Sequence, residues 1–368
     1  RIFDFDRIFI RAFKQELAAA LAAAGPDAAA GSRDNPGYIR IWGIEIPAWG
    51  IDDRGRAIQS VDKSNFAAIA HNALRQMLFC MKAKTTAEKA IEAIKERSHI
   101  EPHPIVKDRF MIVNEDGRIV MGEGEDKALT RWQASMNVAP NGRKPIIAFD
   151  NTLDSFYDYA KNIGKLKIGG EFNPSFNLVL QKNLYNTLRV SYDDPQNPGK
   201  KVRVWIKKEN LPGPLKDAYN QAERYLQSIG HDIAATPADV IKKEFLRAGL
   251  NIGEISGRKN FADFSEDIEH PTLIERTGKE IADKKTLLRD FNNGSMDGLF
   301  VNRSASEGVS AHASPLFEDK RPRILISAQP QMNVDDEMQI YGRINRKGQL
   351  VLPAYMTIYA DLPAEIRP

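Results

Sequence analysis

Cysteine is nearly absent: Cys80 is the single one in 368 residues, which excludes disulfide frameworks and cysteine-rich metal centres. It sits in Gln-Met-Leu-Phe-Cys-Met, a stretch that reads as the inner side of a helix. No apolar run reaches bilayer-spanning length and no secretory signal is legible, so a reduced, cytoplasmic setting without a membrane partner is expected. There is no Gly-x-x-x-x-Gly-Lys-Ser/Thr, the backbone cradle and lysine that hold nucleotide phosphates. No Gly-x-Gly-x-x-Gly follows a first strand either, which argues against a dinucleotide-dependent enzyme. His99 and His103 stand four apart, as a helical metal pair requires, but Pro102 and Pro104 break any helix there, and no metal site is expected.

What is present is ordinary for a globular chain: 42% apolar and 27% charged residues, enough to bury a sizeable core in two or so domains. A net charge of +3 permits a nucleic-acid partner without requiring one. The chain starts at Arg1 and stops soon after a strand-like run, and is expected to be a piece of a longer protein.

Residues 1–62 read as an alanine-rich helix ended by Gly25-Pro26, then a linker and a strand-poor stretch carrying Trp42 and Trp49. Residues 63–143 hold two amphipathic helices, Asn65–Lys82 and Thr86–Arg97, the second opened by a threonine cap. A hairpin with Asp116-Gly117 at its turn follows. From Lys144 the pattern alternates. Buried-strand runs fall at Lys144–Asp150, Ile252–Ile255, Asp297–Val301, Arg323–Ala328 and Ala354–Ala360, with helical patterns at Pro237–Arg247 and Lys284–Phe291. Thr236 caps the first of these helices, with Asp239 completing a capping box. Such alternation predicts an α/β fold, a parallel sheet flanked by helices, with ligand-binding loops at the carboxyl ends of the strands. Residues 161–235 interrupt it. Lys165, Lys167, Lys200, Lys201, Arg203, Lys207 and Lys208, interleaved with Phe172, Phe176, Tyr185 and Trp205, have the composition of a single-strand binding surface or of a solvated hairpin.

One stretch stands apart, Val334 to Gln349. Read as a helix capped by Asn333, with Asp335, Asp336 and Glu337 at its positive end, it aligns Gln339, Arg343 and Arg346 on one face. One amide and two guanidiniums make poor core and a good grip for polyphosphate.

The run Gln-x-x-Gly-Arg-x-x-Arg-x-Gly-Gln resembles motif VI of superfamily 2 helicases and translocases, in the form seen in Swi/Snf-type remodellers and strawberry notch-type proteins. The resemblance implies that Arg346 is an arginine finger reaching ATP held by another domain, with Arg343 and Gln339 beside it as catalytic residues. Ile-Ile-Ala-Phe-Asp-Asn-Thr resembles motif IV, and the loop Asn302–Ala313 resembles motif V, except that Glu307 stands where many relatives have threonine. By that likeness Glu307, Gly308 and Ser310 would touch the nucleotide. Asn151, Thr152, Gly257, Arg258, Ser304 and Ser306 would contact a nucleic-acid backbone, with DNA expected. Residues 144–368 would then form the RecA-like C-terminal domain, carrying 161–235 as an insertion. ATP and Mg²⁺ would be held mainly by an N-terminal RecA-like domain upstream of Arg1, so this stretch alone would neither bind ATP tightly nor hydrolyse it. The alternative is a RecA-like module retained only for nucleic-acid or protein binding within a phage or defence assembly.

Overall fold

The computed structural model describes residues 2–29, 37–47, 62–63, 66–150, 154–194, 196–197, 199–276, 283–302, 310–329 and 334–361. The chain divides into two compact units, one made of 1–75 and 175–233, the other of 76–174 and 234–368. The cut falls inside a single helix, Phe66–Lys95, where two helices were expected. Thr86 does not cap a second one. Its hydroxyl donates back to the Lys82 carbonyl at 2.8 Å, a bond that lets a threonine sit within a continuous helix.

In the larger unit, five strands form a parallel sheet: β1 (Lys144–Phe149), β2 (Ile252–Ile255), β3 (Gly298–Asn302), β4 (Arg323–Ser327) and β5 (Ala354–Thr357), in the order β2-β3-β1-β4-β5. β1, β3 and β4 are buried at every position, as continuous apolar runs covered on both faces must be. On one face lie Phe79 to Ala93 of the long helix and Ile241 and Phe245 of the helix Pro237–Arg247. Ala83, Ala87 and Ala90 are fully buried at helical spacing, small enough to let that helix approach the sheet closely. Phe149 and Phe300 stack across neighbouring strands with ring centres 4.0 Å apart, and Phe79 lies 5.9 Å from Phe149. On the other face, Ile146, Ala148, Leu299, Val301 and Leu325 pack against Phe291 of the helix Lys284–Asn292 and against Ile340 and Ile344. This three-layer α/β arrangement is consistent with a RecA-like domain. Phe110–Asn114 and Ile119–Met121 pair about Gly117, at φ 75°, as the Asp-Gly turn signal predicts.

The smaller unit is built on Phe5, Phe9 and Phe13, spaced four apart on the helix Ile2–Ala29. That helix runs past Gly25-Pro26. Trp42 packs edge-on against Phe9 and Phe13, at 5.6 and 5.7 Å, so it is a core residue. Trp49 lies outside the described residues. Residues 175–233 join this unit: the helices Phe176–Asn186 and Gly213–Gln227 and the hairpin Arg189–Asp193/Lys201–Trp205 share its core. The segment expected as one insertion is therefore split, with 161–174 staying in the larger unit.

No helix among the described residues is long and apolar enough to cross a membrane.

Candidate functional site

Because all five strands are parallel, their carboxyl ends share one edge of the sheet. The exits there are Asp150, Ser256, Asn302, Ala328 and Ile358. Gln329, buried just after β4, ties two of them together, since its side-chain oxygen accepts the Asp150 N–H at 3.1 Å. Composition gave no signal for Gln329; only the register of β1 on β4 makes it a bridge.

The stretch carrying Gln339, Arg343 and Arg346 is not one helix. The helix is Val334–Tyr341, eight residues. Past it the backbone tightens, with Arg343 N–H donating to Ile340 O at 3.0 Å and Ile344 N–H to Tyr341 O at 3.2 Å, three-residue steps typical of a fraying C-terminus. The physical reason is local and tertiary together. Gly342 is a weak helix former, and Ile340 and Ile344 are pulled into the sheet-facing core at 8% and 1% exposure. The expected shared helix face is therefore corrected. Gln339 sits exposed on the helix, Arg343 is half-buried in the turn and Arg346 is exposed beyond it. Asn333, the expected cap, lies outside the described residues.

Arg346 stands on a braced turn. Its N–H donates to the Gln349 side-chain oxygen at 3.0 Å, and the Gln349 amide donates to Asn345 Oδ1 at 3.1 Å. Gly348, at φ 86°, supplies the left-handed residue that closes it. No carboxylate among the described residues pairs with the Arg343 or Arg346 side chain. Arg343 Nε is buried and has no hydrogen-bond partner there, an orphaned donor on a residue that also lines a cavity of about 20 Å³ beside Val301, Asn302, Ala311 and Ile344. That volume admits one water.

The loop after β3 meets this turn from the side. Ala311 N–H donates to the Arg343 carbonyl at 3.3 Å, and Leu350 N–H to the Ala313 carbonyl at 2.9 Å. Ser310 Oγ pairs with His312 Nδ1 at 3.1 Å. Burial, then the positive charges of Arg346 and Arg323, hold the His312 pKa below its usual value. Glu307, Gly308, Ser304 and Ser306 lie outside the described residues, as do Asn151 and Thr152. Of the nucleotide and backbone contacts expected here, Ser310, Gly257 and Arg258 are described.

Arg258 is not the exposed charge expected of it. Its side chain is 1% exposed. Nη1 and Nη2 grip Asp239 Oδ2 and Oδ1 at 2.6 and 2.9 Å, while Nε and Nη2 grip Glu254 Oε1 and Oε2 at 3.0 and 2.7 Å. Arg276 adds a contact to Glu254 at 3.2 Å. Burial alone would push the Glu254 carboxyl up, but the charges of Arg258 and Arg276 outweigh it and hold the pKa at about 2. Asp239 is thereby explained too: it serves this clamp rather than a capping box, and Thr236 makes no side-chain cap bond. Gly257, with open space where a Cβ would stand, is exposed, and so is Lys259.

The basic and aromatic stretch also sorts itself. Phe172 and Phe176 are buried at 3% and 0%, so neither offers a face to a base. Lys208 pairs with Glu223 at 3.0 Å. Tyr185 and Trp205 remain partly exposed, on the smaller unit. His103 Nδ1 accepts the Val106 N–H at 3.0 Å and His99 pairs with Glu101 at 2.8 Å, so each has a local partner. No cluster of three His, Cys, Asp or Glu able to hold a metal occurs among the described residues.

No family model matches this chain, and no solved structure matches it. Similarity does reach the strawberry notch protein of Drosophila melanogaster, 26% identical over 168 residues, 44% of this chain and 10% of that protein. The strawberry notch homolog 1 of Homo sapiens is 24% identical over 144 residues, 39% of this chain and 10% of its own length. The homolog 1 of Gallus gallus is 24% identical over 144 residues, 39% of this chain and 12% of its length. The matched stretches thus span about a tenth of the length of these relatives. At this level the chain is distantly related to helicase-like proteins.

Proposed function

We propose that this chain is the C-terminal motor domain of an ATP-dependent nucleic-acid helicase or translocase, and that it contributes Arg346 to a nucleotide site closed by a second RecA-like domain. The observation that carries the reading is Arg346 itself: exposed, held on a turn braced by Gln349 and Asn345, and unpaired with any carboxylate among the described residues. A surface arginine with no structural duty is free to stabilise charge brought to it. Bound ATP with Mg²⁺ supplies the phosphoryl bond whose hydrolysis drives movement. The chain's own part is electrostatic. A guanidinium stays protonated, presents a planar fork to phosphate oxygens and needs no reorganisation as charge develops. Asp335 and Glu337 stand in the first turn of a helix rather than at a strand end, so their charge suits the helix dipole. The metal ligands of such a motor would come from the other domain.

Arg346→Ala in the complete protein is expected to lower DNA-stimulated ATP turnover by about 10³–10⁵-fold, the range for losing an arginine finger, while DNA binding stays largely intact. Turnover within a few-fold of wild type would return the chain to a non-catalytic RecA-like module.

A further inference from the structure

At the exit of β2 one cation is left without an acid. Lys242 stands on the helix Pro237–Arg247, whose first turn lies at the carboxyl end of β2, as the grip of Asp239 on Arg258 requires. Three residues on from Asp239, Lys242 shares its side of the helix. Its ammonium lies 5.4 Å from the ring centre of Phe261 and 5.7 Å from that of Phe264, in and just past the strand Asn260–Asp263. The next lysine, Lys243, pairs with Glu269 at 2.8 Å. Lys242 is half-buried and makes no hydrogen bond or ion pair among the described residues.

The charges around it do not supply the missing partner. The carboxylates that act on Lys242 are Asp239 and Glu254. Arg258 already holds both and Arg276 adds to Glu254, so two carboxylates are matched by two guanidiniums and the ammonium is left over. Asp263 shares a side of its strand with Phe261, but its Oδ1 accepts the Ser265 N–H at 3.0 Å. Burial outweighs the two carboxylates and lowers the proton affinity of Lys242. Two ring faces offset only part of the cost of keeping an ammonium from water, and an anion arriving from outside would offset the rest. On the same strand exit, Gly257 is exposed with open space where a Cβ would stand, which leaves a polyanion room to approach.

We infer that Lys242 binds a phosphate of a nucleic-acid backbone at the exit of β2, supplying there the charge that the enclosed Arg258 cannot. The site rests on the nucleic-acid partner of the proposed function but not on Arg346 or on ATP. An ammonium is a point charge that reads no base edge, so binding there is tolerant of sequence.

The test is fluorescence anisotropy of the full chain with a labelled oligothymidylate, and with a mixed-sequence oligonucleotide of equal length, across a salt series. Lys242→Met keeps an apolar stem over the two rings and removes the charge. It is expected to lower the salt slope by about 0.7, so the affinity gap to wild type widens about fivefold for each tenfold dilution of salt. The gap should be the same for both sequences. Lys242→Arg, which keeps the charge, should keep the wild-type slope. Because the carboxylates around Arg258 keep their guanidiniums, Lys242→Met should melt no lower than wild type. Coincident slopes for wild type and Lys242→Met overturn the inference and leave the nucleic-acid partner standing; coincident slopes with a lowered melting temperature make the lysine a packing residue. A wild type that binds neither oligonucleotide overturns the inference together with the nucleic-acid part of the proposed function.

Discussion

Removing the Arg258 guanidinium separates a structural clamp from a phosphate contact. Arg258 is bidentate to Asp239 and to Glu254, all three are nearly or fully enclosed, and Asp239 Oδ1 also accepts the Ala262 N–H at 3.2 Å. Arg258→Ala leaves two carboxylates short of their main cation, with Arg276 as a partial substitute for Glu254 alone. Breaking such a buried arrangement by deleting one partner costs about 3–5 kcal/mol. In a unit of this size each kcal/mol moves Tm by about 2–4 °C, so the expected loss is about 6–20 °C at pH 7. The pH dependence has a definite sign. In wild type the Glu254 pKa is held at about 2, below its ordinary 4.5, so the clamp's contribution is fully present above pH 4.5 and fades as pH falls toward 2. In the variant the carboxyl loses its principal cation while staying buried, its pKa rises, and acidification relieves the penalty. The stability gap between the two proteins should therefore narrow from pH 7 to pH 4 in urea denaturation. A loss below about 1 kcal/mol together with weakened DNA binding would refute the clamp and restore the phosphate role.

Two further outcomes test the arrangement around the sheet. Arg346→Ala should raise the His312 pKa, because a neighbouring positive charge is removed while burial and Arg323 remain; an imidazole NMR titration reads this, and an unmoved or lowered value would mean that Arg346 does not stand beside the loop after β3. Phe300→Ala should destabilise the larger unit by about 3–5 kcal/mol, since it empties one side of the Phe149 stack in a fully covered face. Chemical denaturation showing under 1 kcal/mol would place that stack outside the core.

The alternation of strand and helix from Lys144 onward was legible before any coordinates, and Ile252–Ile255 was bounded to the residue. That signal is local: a strand covered on both faces must be an unbroken apolar run, and a surface helix must repeat its apolar side every turn. What tertiary structure decided involves partners far apart in the chain. Ile344 entering the sheet-facing core set where the last helix stops, and so moved both arginines off a common helical face. Asp239, 19 residues before Arg258, claimed a side chain that the family resemblance had placed on a nucleic-acid backbone. Residues 175–233 left the expected insertion because their apolar positions complete a core begun at Phe5, Phe9 and Phe13. No local pattern carries that information, because burial is a property of what else arrives.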